Sequence, residues 1–181
     1  MPDGTGFGTA QNFLHVNADS NITLNGNIIA DYIELYTLNG SITQNSNSNS
    51  IKAKYVALYS GGGDLGKSDK PIIIDGGTGS VILDALAYDY SNNPQPYNIT
   101  IKSLSDVSVD FIDTLGDFTL SAAGKIQTAY GKVDVNNINL SAQSIELHTS
   151  YSQIRGVATL TTTSGNAVLS SDSSLSLGAT Q

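Results

Sequence analysis

The feature that most constrains this chain is a short apolar–polar–apolar beat. Ile33-Glu34-Leu35, Val56-Ala57-Leu58, Ile72-Ile73-Ile74 and Val81-Ile82-Leu83 recur between runs of Gly, Asn, Ser and Asp. Alternation over a few residues is the period-2 mark of a strand with one buried face. Gly and Asn at each break supply the tight or left-handed backbone that turns require. The i, i+3, i+4, i+7 spacing of an amphipathic helix does not occur in residues 27–85. Two blocks in this stretch align with each other: Leu35 to Leu58 is a step of 23 residues, and so is Ile42 to Leu65. One strand group and one glycine turn per copy, at that period, specify a solenoid.

The segments NIIADYIELYTLNGSITQ and IKAKYVALYSGGGDLGKSDKPIIID carry a resemblance. They are similar to the coil repeats of filamentous-haemagglutinin-like exoproteins, very large bacterial surface and secreted proteins, often of the two-partner secretion type. The family pattern sets a Gly-Gly-Asp-Ile/Leu-Gly turn before a Pro-plus-aliphatic strand, and Gly62 to Ile74 fit it. The resemblance is specific over residues 27–85 and continues beyond Ala85 as a looser pattern. It implies a right-handed parallel β-helix that serves as a stalk or adhesive filament, with no catalytic residue in the repeat itself.

From Ile99 onward short strand cores follow at regular steps. Leu83, Ile101, Leu120, Leu140, Leu160 and Leu177 are spaced as one aliphatic column, and Val109, Thr128 and Leu147 as a second. The spacing predicts an all-β parallel solenoid of roughly nine coils and roughly 40 Å in length, and the resemblance implies that it is a right-handed parallel β-helix. One coil cannot cover its own apolar interior, but its neighbours do. Residues 1–181 read as one solenoid segment, with an irregular loop over 84–98. The pattern reaches nearly both ends without a polar cap, which predicts open strand edges and, as partners, neighbouring coils or identical subunits end to end.

Composition narrows the function classes. Charged residues make up 13% of the chain and the net charge is −8. One arginine and scattered lysines cannot neutralise a phosphate backbone, so nucleic acid is not an expected partner. The chain has no cysteine, which excludes disulfides and thiol chemistry. No apolar run approaches the length of a membrane span. The opening residues lack a basic region followed by an apolar core. An internal segment of a longer exported protein, extracellular or at the bacterial cell surface, is the expectation.

The residues predict no catalytic, cofactor or metal site. His15 and His148 read as surface positions beside strands. Gly61 to Ser68 formally matches a phosphate loop, but Pro71 and a strand follow where a helix is needed. Asp106, Asp110, Asp113 and Asp117 cluster near Lys102, as carboxylates do in β-helical polysaccharide lyases, hydrolases and tailspikes. Arg155 is expected about two coils away, and turn or solvent-facing strand positions account for the acids. A calcium site from Asp110, Asp113 and Asp117 lacks the nonapeptide of calcium-bound rolls. Tyr36 and Tyr59 occupy matching repeat positions and are expected to stack. Tyr88, Tyr90 and Tyr97 fall where the repeat breaks, so they are the candidates for contact with a host surface or glycan. The function expected is a structural or adhesive segment. The alternatives are a carbohydrate-active β-helix and a filament subunit that stacks through its end coils.

Overall fold

The computed structural model describes residues 12–89, 94–129, 131–148 and 152–178, and among these every regular element is a strand. All pairings are parallel. One sheet is built on eight successive strands, beginning with Phe13–Ala18, Tyr32–Thr37, Tyr55–Ser60 and Ser80–Ala87 and ending with Ala167–Leu169. A second eight-stranded sheet runs from Ile28–Ile29 to Ser176–Leu177. Ile22–Leu24 and Ile42–Gln44 form a short third sheet. The chain is thus a β-solenoid of about eight turns, one fewer than the sequence suggested.

Each strand alternates between interior and exterior. In Tyr32–Thr37 the residues Ile33, Leu35 and Thr37 are buried while Tyr32, Glu34 and Tyr36 are half-buried on the outside. Tyr55–Ser60 repeats this in register, with Tyr55 on Tyr32, Leu58 on Leu35 and Tyr59 on Tyr36. The 23-residue repeat is therefore a physical coil. One column runs along the described coils, from Ile22 through Ile42, Leu65, Ile99, Phe118, Ile138 and Ala158, and ends on the exposed Leu177. Its members from Ile42 to Ala158 are at most 1% exposed. Each such aliphatic or aromatic side chain contributes about 1.5–3 kcal/mol on burial.

Two column assignments are corrected. Ile101, Leu120, Leu140 and Leu160 do stack, but the column continues to Ile72, not Leu83. Leu83 lies on the other sheet, between Val56 and Val109. Leu177 sits on Ala158, two positions from where the spacing put it. A coil holds several triplets, so spacing alone does not say which face a triplet joins. Val109 pairs with Thr128 as expected. The loop expected over 84–98 begins later, because Ser80–Ala87 remains a strand through Ala87.

The turns are tied by side chains that accept backbone N–H groups from the following coil. Asn98 N–H donates to Asp64 Oδ1 at 2.7 Å, Asp117 N–H to Asn98 Oδ1 at 3.0 Å, Asn137 N–H to Asp117 Oδ1 at 3.2 Å and Val157 N–H to Asn137 Oδ1 at 2.7 Å. These amides fall at corners, where a side-chain oxygen takes the place of a ladder carbonyl. The turn after Ser60 is equally determined. Gly66 has φ +72°, and a Cβ there would collide with the Thr100 carbonyl oxygen. Lys67 and Lys70 then exchange N–H···O bonds of 3.0 and 3.1 Å before Pro71 opens the Ile72–Asp75 strand. The phosphate-loop match is a solenoid corner with a small excursion.

Candidate functional site

The outward face of the first sheet carries the groups whose chemistry the fold itself does not require. Its early strands bear aromatic rings at outward positions. Tyr32 and Tyr55 stack with centroids 4.4 Å apart and planes 6° apart, and Phe13 meets Tyr32 at 4.8 Å. In a ladder of this kind the ring faces are turned to one another along the rod. Tyr36 and Tyr59 are in register as predicted, but the ring-on-ring contact belongs to the neighbouring column.

Between these columns sits Asp84. It occupies an outward position of Ser80–Ala87, flanked by Ile82 and Leu86, yet is only 8% exposed. Its Oδ2 accepts the Tyr55 hydroxyl and lies 3.5 Å from the Tyr59 hydroxyl. Its Oδ1 is buried and accepts no well-formed hydrogen bond. Burial first, and the neighbouring Asp110 carboxylate after it, hold the Asp84 carboxyl above the ordinary aspartate value; the Tyr55 hydroxyl, the Phe111 N–H and the Tyr59 hydroxyl oppose this. Tyr55 and Tyr59 are both pushed far above the usual phenol range, by burial and then by Asp84.

A second group lies further along the same face. Lys132 Nζ is 2.9 Å from Asp134 Oδ2 and 3.3 Å from Asp113 Oδ2. Arg155 reaches Asp134 Oδ1 in a close charge contact, not a directed hydrogen bond. Asp113 and Asp134 are paired across neighbouring strands, and Arg155 follows the strand after them. The four groups therefore bridge three successive coils. The carboxylates, Asp134 foremost, hold the Lys132 ammonium above its ordinary value, so it is a firm cation and a poor base at neutral pH.

Family models, curated proteins and solved structures offer no match to this chain.

The residues singled out in the sequence are dispersed. Of the ligand candidates, Tyr88 follows the Ser80–Ala87 strand and donates its N–H to Ser60 O at 2.9 Å. Tyr97 packs half-buried against the core and its carbonyl accepts the Thr114 hydroxyl. Tyr90 lies outside the described residues. The four clustered aspartates have four different partners or settings. Asp106 accepts the Lys125 N–H at 2.8 Å, Asp113 meets Lys132, and Asp117 accepts Asn136 and Asn137. Asp110 sits at the irregularity between Val109 and Phe111. Arg155 lies two coils beyond Asp113, as expected, and touches Asp134 in the coil between, a residue the sequence did not single out. His15 and His148 are exposed beside Glu34 and Glu146, at 3.4 and 3.5 Å. Among the described residues no three His, Asp or Glu side chains are grouped to hold a metal ion. Asp84 was missed too; its signal was an acid in the middle of the alternation Ser80–Ala87, where a turn residue is out of place.

Proposed function

We propose that the chain is a rigid structural segment of a large secreted or cell-surface bacterial protein of the filamentous-haemagglutinin-like kind, a spacer that holds loops at fixed separations along a rod. The observation that carries this reading is the single column from Ile22 to Leu177, unbroken through insertions of different length at the turns. An interior that keeps its geometry while its turns vary suits a scaffold that presents loops. The repeat segments that resemble those exoproteins supply the remainder. Antibody against the chain, applied to intact source cells and to culture supernatant, is expected to find it outside the cell. Signal that appears only after lysis would overturn the proposal.

The charge group of Asp113, Lys132, Asp134 and Arg155 favours one second reading, a carbohydrate-active surface, because acids with a lysine and an arginine on one outer sheet suit acidic polysaccharide. Release of oligosaccharide from acidic polysaccharides, abolished in Asp134→Asn, is the result that reading requires. Stacking of identical subunits would use the Phe13–Ala18 and Ser176–Leu177 strands, each with one strand neighbour among the described residues. Concentration-dependent light scattering separates that partner from a passive spacer.

A further inference from the structure

We infer that Tyr55, Asp84 and Tyr59 form a proton-operated clasp between adjacent coils: with Asp84 neutral the outer face of the first sheet closes over it, and with Asp84 charged that face loosens.

The geometry sets the requirement. A carboxylate held away from water needs several donors to compensate lost hydration. Asp84 sits on what should be the solvent side of a sheet but is 8% exposed, covered among Tyr55, Tyr59, Ile82 and Leu86. Both phenols converge on one oxygen, Oδ2, and Oδ1 is buried without a well-formed partner. Ala57, directly opposite Asp84 on the preceding strand, is fully buried and offers no donor side chain.

The surrounding charges do not compensate. The strand after Asp84 brings Asp110, which raises its pKa, and Asp113, which is already paired with Lys132. Two strands before it lies Glu34, which acts on Tyr59 and Tyr32. Lys54 is engaged by Asp31 at 2.8 Å and Lys132 by Asp113 and Asp134. A proton is the simplest way to neutralise such a carboxyl.

The sign follows from linkage. In the unfolded chain an aspartate titrates near ~3.9. The folded value is raised, so the stabilising contribution is complete below the unfolded value and is lost as pH rises through the folded one. Ionised Asp84 keeps the Tyr55 and Tyr59 hydroxyls as donors, because those bonds favour the charged form, and is relieved when water enters beside them, which loosens the Tyr55–Ser60 and Ser80–Ala87 strands at their outer edge. Asp31 works in the opposite sense: Lys54, and then the Asn12 N–H, hold its pKa down, so its contribution is lost as pH falls.

Hydrogen exchange on the whole chain, corrected for the intrinsic pH dependence of exchange, tests this. Protection at Tyr55–Ser60 and Ser80–Ala87, relative to Phe118–Ala122, is expected to fall by roughly tenfold for each unit of pKa elevation as pH rises from about 4 to about 8. Asp84→Asn removes the charge and is expected to flatten that step. Asp110→Asn removes a like charge without touching the hydrogen bonds and is expected to move the midpoint to lower pH. If Asp84→Asn does not fold, the Asp110→Asn midpoint alone decides. A step that persists in Asp84→Asn, or a midpoint that Asp110→Asn leaves in place or raises, overturns the clasp.

Discussion

Toward the N-terminus the first face of the rod is continuous and the second is broken, into Ile22–Leu24 with Ile42–Gln44 on one side of a turn and Ile28–Ile29 with Ile51–Lys52 on the other. Toward the C-terminus the arrangement is reversed. The second face runs unbroken through Ile99–Ser103, Phe118–Ala122 and Ile138–Ala142, while the first divides into Lys125–Thr128 with Ser144–Leu147 and Val133–Val135 with Gln153–Ile154. The long strand Asp106–Thr114 makes the change, pairing with both halves across its irregularity at Val109 and Phe111. Gly131 seals the new turn, since a Cβ there would collide with the Asp110 carbonyl oxygen. Both halves keep three strands per coil and share one interior column. The column fixes the cross-section, and the turns are free to move around it. The outsides differ accordingly: stacked aromatic rings and Asp84 on the early coils, and the group of Asp113, Lys132, Asp134 and Arg155 on the later ones.

Cutting the shared column should give the largest effect in either half. Phe118→Ala is expected to cost about 3–5 kcal/mol and Leu65→Ala about 2–5 kcal/mol, both side chains being 0% exposed. If the halves are one cooperative unit, denaturant unfolding of each variant stays a single transition; two separate transitions would show that they fold independently. Next comes the polar ladder. Asp117→Ala strips the acceptor of the Asn137 N–H and of two side-chain amides, and about 1–3 kcal/mol is expected. Asn21→Ala removes a single, exposed bond to Ser41 N–H in the early coils, for about 0.5–1.5 kcal/mol. Equal losses would erase the distinction drawn between the two corners. Lys132→Ala should cost only about 0.5–1 kcal/mol, because the ammonium is partly solvated and Arg155 still faces Asp134, and added salt should shrink the difference. Smallest of all, Ser48→Gly in the exposed polar loop should change thermal stability by less than about 0.5 kcal/mol.

Much of this architecture was legible in the residues. The triplets gave strands, and the match of Leu35 with Leu58 and of Ile42 with Leu65 gave true coil neighbours. Regular steps of 19 and 20 residues located Ile101, Leu120, Leu140 and Leu160 correctly, because those coils are nearly equal in length. Leu83 and Leu177 went astray for the opposite reason. Turns of variable length add residues without adding a coil, so an even count can join two different faces. The candidate site was less legible. Tyr32, Tyr55 and Asp84 are brought together only by the register of three strands with unequal steps between them. Asp134 and Arg155 likewise meet across coils that sequence distance makes look far apart.

The Tyr32–Tyr55 stack gives the rod an internal strain gauge. Its 4.4 Å separation is set by the spacing of two successive strands, and the chain has no tryptophan to mask the tyrosine signal. Tension along the axis that parts these strands must also part the rings. The chain has nine tyrosines, so the part of the near-ultraviolet circular dichroism that Tyr32→Leu removes would then report extension at this turn, without any label.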